Sequence, residues 1–112
     1  MAQYMQHFTG SFDRLLEYID QSVLHGSVSA SSEGSSDGEI NGVRCAVRVY
    51  ERYSIMGSNR LSLSVILFGR DGDMQLTAVT SGGSQAMFFK VNTWGEETFL
   101  EKFISQIERY TP

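Results

Sequence analysis

Cysteine, histidine and basic charge are all scarce in this chain, and each shortage removes a class of protein. Cys45 is the only cysteine, so no intrachain disulfide can form and nothing points to an oxidising compartment. A metal centre wants three or four convergent ligands at recognisable spacing, and the only histidines are His7 and His25. No metal or cofactor is expected. Nine Lys and Arg stand against 13 Asp and Glu, a net charge of −4, which opposes non-specific attraction to phosphate backbones. No nucleic-acid partner is expected. No segment approaches the roughly 20 apolar residues that span a bilayer, and residues 1–7, MAQYMQH, lack the basic flank and apolar run of a signal peptide. The expected location is therefore the cytoplasm, without membrane attachment.

What remains is the composition of an ordinary globular domain, with 41% apolar, 12% aromatic and 20% charged residues in 112. That length suits one domain over 1–112, with a core able to stabilise itself without metal or disulfide.

Helical periodicity is clearest near the C-terminus, where Phe99, Leu100, Phe103, Ile104 and Ile107 make one apolar stripe. The spacing predicts a helix over about 94–110, opened by Thr93 and Glu96 as a reciprocal cap. A second helix is expected from Ser11 to His25, with Ser11 as cap, Asp13 in the first turn and Phe12, Leu15, Leu16, Ile19 and Val23 facing the core. Tyr4–Thr9 before it reads as a short strand.

Between the helices the period changes to two. In Val43–Tyr53, Val43, Cys45, Val47 and Val49 alternate with Arg44, Ala46, Arg48, Tyr50 and Arg52. In Arg60–Phe68, Leu61, Leu63, Val65 and Leu67 alternate with Ser62, Ser64, Ile66 and Phe68. The two strands are expected to form a hairpin around residues 56–59, with the valines inward and Val49 opposite Val65. Asp71-Gly72 is a two-residue hairpin signal; it sets Leu67 opposite Leu76, Val65 opposite Ala78 and Leu63 opposite Thr80. A last strand is expected over Ala86–Val91, after a glycine-rich turn at 81–85. The serine-rich stretch Ser27–Gly38 reads as a solvated edge strand that runs into a mobile loop. The fold class is α+β: an antiparallel sheet of five to six strands in the order β-α-β-β-β-β-β-α, with both helices packed on one face.

The run from Arg44 to Tyr53, the run Thr80–Ala86, and Phe88, Phe89 and Lys90 resemble an uncharacterised family of small bacterial proteins, a domain of unknown function. The resemblance implies a bacterial, intracellular origin and carries over no catalytic residue. The order of elements also resembles the helix-grip group, which includes START-type lipid carriers and the pollen-allergen fold, and it implies an apolar cavity between sheet and C-terminal helix. The chain is shorter than that group, has one N-terminal helix where two are usual, and about six strands where seven are usual.

Candidate chemistry is thin. Cys45 lies on the expected inward face, where a thiol packs rather than reacts. Asp71 and Asp73 lack the remaining ligands of a calcium loop. Ser81–Ser84 is glycine-rich but lacks the lysine and following helix of a phosphate loop. No nucleophile, base and orienting group can be assembled, so an enzyme is not the expected class. The most specific feature is a sheet face on which Arg44, Arg48, Tyr50 and Arg52 join Ile66 and Phe68, residue types enriched in protein interfaces. Arg48 is its expected centre. A homodimer or protein partner meeting that open face is the expected function. The alternative is a small hydrophobic ligand between sheet and C-terminal helix, suggested by Phe88, Phe89, Trp94, Phe99 and Phe103.

Overall fold

A computed structural model describes residues 2–26, 29–53, 60–82 and 90–112, and of residues 2 and 90–98 the backbone alone. The order is β1 (Ala2–Thr9), α1 (Phe12–Gly26), β2 (Ser31–Ile40), β3 (Val43–Tyr53), β4 (Arg60–Arg70), β5 (Asp73–Gly82) and α2 (Lys90–Ile107). All five strands form one antiparallel sheet in the order β1-β5-β4-β3-β2. The α+β class and the two helices are as expected, with five strands. Of the further strand expected over 86–91, residues 86–89 lie outside the described residues, and Lys90 and Val91 belong to α2.

β2 to β5 run as a meander, while β1 pairs with β5 at the opposite edge from β2. β1 and β2 point the same way at opposite edges, so the chain between them must both cross the sheet and return along it. The 15 residues of α1 make the return alongside β3, with Asp13 at Arg44, Asp20 at Tyr50 and Val23 beside Arg52. The helix opens as expected: Ser11 Oγ accepts a 3.2 Å hydrogen bond from the Arg14 amide. α2 begins at Lys90, ahead of the Thr93–Glu96 pair expected to open it.

Two hairpins turn on paired left-handed residues, Asn41 (φ 53°) with Gly42 (φ 82°) and Asp71 (φ 54°) with Gly72 (φ 85°). Both are the two-residue form whose twist suits adjacent strands. The second delivers the expected register of Leu67 with Leu76, Val65 with Ala78 and Leu63 with Thr80. Just before that turn β4 and β5 nearly touch: a Cβ on Gly69 would lie 2.1 Å from the Asp73 carbonyl oxygen. The residues of the β3–β4 hairpin expected at 56–59 lie outside the described residues.

One face of the sheet is covered. Leu15, Ile19 and Val23 of α1 and Phe99, Leu100, Phe103 and Ile107 of α2 are buried against Leu61, Leu63, Val65, Leu67, Met74, Leu76 and Ala78. Tyr110, beyond α2, closes the β1 side by packing its ring at a tilt against Tyr18 at 4.9 Å and meeting Phe8 edge-on at 6.2 Å.

Two expectations for the sheet are corrected. β3 pairs with Arg48 opposite Val65 and Val49 opposite Ser64, one residue from the expected register, and a slip of one turns every side chain over. Arg44, Ala46, Arg48, Tyr50 and Arg52 therefore face the helices, and Val43, Cys45, Val47 and Val49 face away. The buried pair Ala46 and Tyr50 explains the choice: the tyrosine supplies more apolar area than a valine, and its hydroxyl finds a partner on α1. The arginines flanking this pair cover the core with their stems and keep their heads at the boundary. In the serine-rich stretch residues 27 and 28, where the edge strand was expected to start, lie outside the described residues, and Ser31–Ile40 is a strand where a mobile loop was expected. Asn41-Gly42 folds it onto β3, with a bulge between Ser32 and Gly34.

Candidate functional site

The six residues expected to share one surface are divided between the two faces of the sheet. Ile66 lies opposite Val47 and Phe68 opposite Cys45, on the uncovered side. Arg44, Arg48, Tyr50 and Arg52 lie on the helix side, and each has a separate neighbour. The Arg44 guanidinium stacks on the Phe12 ring at 4.2 Å and donates to Asp13 Oδ1 at 2.9 Å. That hydrogen bond, with the arginine's charge, holds the exposed Asp13 carboxyl below the usual carboxylate value. Arg48 pairs with Asp37 of β2 at 3.1 Å and donates to the Val47 carbonyl at 2.9 Å. Tyr50 donates to Asp20 Oδ1 at 2.8 Å. Burial, and then the Asp20 hydrogen bond and charge, push its phenol far above the usual value. Arg52 stacks on Phe99 at 4.4 Å.

These arginines do not converge. Arg48 lines an open groove of about 250 Å³ beside Asp13, Glu17 and Asp20 of α1, where acidic side chains outnumber it. Arg52 lines a recess of only about 10 Å³ between α1 and α2, room for about one water.

The uncovered face has a different character from the expected arginine stripe. Its centre is Cys45, Val47 and Val49 of β3 beside Ile66 and Phe68 of β4, continued by Thr77 and Val79 of β5 and Met5 of β1. Phe68 is 38% exposed, Met5 54% and Ile40, at the turn into β3, 76%. Charge is confined to the strand ends. Glu51 pairs with Arg60 at 3.0 Å at one end, and His7 meets Asp73 at 3.4 Å at the other. Beyond the bulge, the outward side of β2 carries only Gly34, Ser36 and Gly38 before Ile40, so this part of it presents almost no side-chain bulk.

Cys45 is half-buried on this face, between Gly38 and Phe68, not inward as expected. Neither neighbour is a base or cation. Among the described residues no group of three or more His, Cys, Asp or Glu could hold a metal ion, and no helix is long and apolar enough to cross a membrane. The signal that sequence reasoning passed over is Asn41-Gly42 between Ile40 and Val43. Read as a hairpin turn, it turns residues 31–40 into the strand that flanks β3.

No curated protein matches the chain. Residues 1–111 match a family described as a family of unknown function, DUF6054, and the chain belongs to that family.

Proposed function

We propose that this is a non-enzymatic domain, bacterial and cytoplasmic, that works by self-association, two copies meeting through their uncovered sheet faces. One observation carries the reading: a five-stranded face whose middle is free of charge and mostly apolar, with both signs of charge at each end, Glu51 and Arg60 at one and Arg70, Asp71 and Asp73 at the other. A second copy laid over it meets no net repulsion in either orientation, because both ends carry both signs. Its size also suffices. Strands about 4.8 Å apart and about 30 Å long give a face of roughly 600 Å², so a pair buries about 1,200 Å², the lower bound of specific interfaces. Joining edge to edge through β2 is disfavoured, because antiparallel pairing of two copies centred on Ser36 would set Glu33 of each opposite Glu39 of the other.

The test is sedimentation at micromolar concentration of the full chain, Ile66→Asp and Val47→Asp. A dimer that becomes monomeric in both variants, with unchanged circular dichroism, supports the reading. A strict monomer, or a dimer indifferent to both substitutions, removes it.

A further inference from the structure

The three inward arginines of β3 are not equivalent. Arg44 has Asp13 at 2.9 Å and Arg48 has Asp37 at 3.1 Å, but among the described residues no carboxylate reaches Arg52. Its Nε–H is inaccessible to solvent and has no hydrogen-bond partner. One flat side of the guanidinium is occupied by the Phe99 ring and Nε is closed to solvent, so the terminal Nη groups are the donors a ligand can approach. Burial, with nothing opposing it, pulls the group below the usual arginine value. A half-buried cation in that condition is costly until an anion meets it.

The recess at Arg52 has apolar walls of Val23, Phe99 and Phe103 and is also lined by Lys102 of α2 and Ser22 of α1, with no acidic residue among the described ones. Lys102 lies across Gly26, with its Cε 3.8 Å from where a Cβ would stand, so a second cation comes from a different element of the fold. Two cations and a hydroxyl, supplied by three elements, match a dianion with several acceptor oxygens better than a single carboxylate. The volume of about 10 Å³ admits about one oxygen of a terminal group and excludes an enclosed molecule. A phosphomonoester has the required features: a charge of about −1.5 to −2 at neutral pH, and oxygens that accept a guanidinium fork side by side.

We propose that Arg52, Lys102 and Ser22 bind the phosphoryl group of a phosphomonoester, whose remaining part stays outside the recess. Neither the uncovered sheet face nor self-association enters this proposal. The groups involved lie on the opposite side of the sheet, so either idea can fail alone.

The experiment is a titration of the full-length ¹⁵N-labelled chain with inorganic phosphate and with O-phosphoserine at constant ionic strength, following the Arg52 Nε–H resonance. Acetate and serine are the controls. A saturable shift with both phosphates and none with the controls is expected. A charge-assisted hydrogen bond contributes about 1.5–3 kcal/mol, so Lys102→Gln should weaken phosphate at least about tenfold and Arg52→Gln should abolish the effect. O-phosphoserine binding more tightly than phosphate means that the body of the ester is also recognised; equal affinities mean that the phosphoryl group alone is. If Arg52→Gln does not fold, the wild-type resonance and Lys102→Gln still decide. No saturable shift at tens of millimolar, an equal response to acetate, or affinity unchanged in Lys102→Gln overturns the proposal.

Discussion

The phenol of Tyr50, buried in the middle of β3, donates a 2.8 Å hydrogen bond to Asp20 on α1, and this bond ties the helix to the strand whose orientation it accompanies. Tyr50→Phe keeps the ring and removes the bond. Because Asp20 is only half-buried and can recover water, the loss should be about 1 kcal/mol. Tyr50→Ala should cost about 3–5 kcal/mol, since the cavity is added. Urea midpoints of the two variants check the order; equal losses would mean that the ring contributes nothing beyond the hydroxyl.

Alkaline pH should act on the same residue. Its folded phenol is raised above the unfolded value of about 10, so the neutral form is favoured by folding. That contribution is complete below pH ~10 and is lost as pH rises above it, when the unfolded chain alone releases the proton. An absorbance titration of the five tyrosines should leave at least one unionised until the fold collapses. Full ionisation of the folded protein near pH 10 would contradict the buried geometry.

Acid should reveal the Arg44–Asp13 pair. Asp13 is lowered by the Arg44 hydrogen bond and charge, so its stabilising contribution is present above the unfolded value of about 3.9 and fades as pH falls through the lower folded one. Carboxyl NMR titration should give Asp13 a midpoint under that value, and Arg44→Gln should restore it. The pair is exposed and screened by solvent, so the change in stability should be slight compared with the shift in the Asp13 midpoint.

Two glycines should respond in opposite ways to alanine. At Gly69 the new methyl would stand 2.1 Å from the Asp73 oxygen and 2.8 Å from Met74 Cα. Both are backbone atoms, so β4 and β5 must part and the cost should reach about 3 kcal/mol or more. At Gly38 no atom lies within 4 Å, and the residue sits in an extended strand, so alanine should be neutral or stabilise by up to about 1 kcal/mol. Thermal melts of the two variants make the comparison. A tolerated Gly69→Ala would mean that the strand pair is looser there than its register implies.

Much of the fold was legible because it rests on local chemistry. Asp71-Gly72 set the β4–β5 register to the residue, since a two-residue turn leaves no freedom in the pairing that follows. Ser11, Leu15, Ile19 and Val23 marked the start and the buried side of α1. The second half of the serine-rich stretch was misread because Ser31–Ile40 has no apolar alternation. It is a strand by virtue of the Asn41-Gly42 turn and the backbone of β3, neither of which is a property of its own side chains.

Alternation along β3 determined, from sequence alone, that Arg44, Arg48 and Arg52 share one side and Cys45, Val47 and Val49 the other. Only the tertiary structure decided which side the helices cover, because period two is symmetric between the faces and a slip of one residue exchanges them. The decision came from contacts distant in sequence: Tyr50 fills the space beneath α1 and reaches Asp20, while the arginines find Phe12, Asp13, Asp37 and Phe99 at the margin of the core. The valines, which have no polar group to satisfy, lose less by facing outward than an unpartnered tyrosine or arginine would, and that difference turned an expected arginine surface into an apolar one.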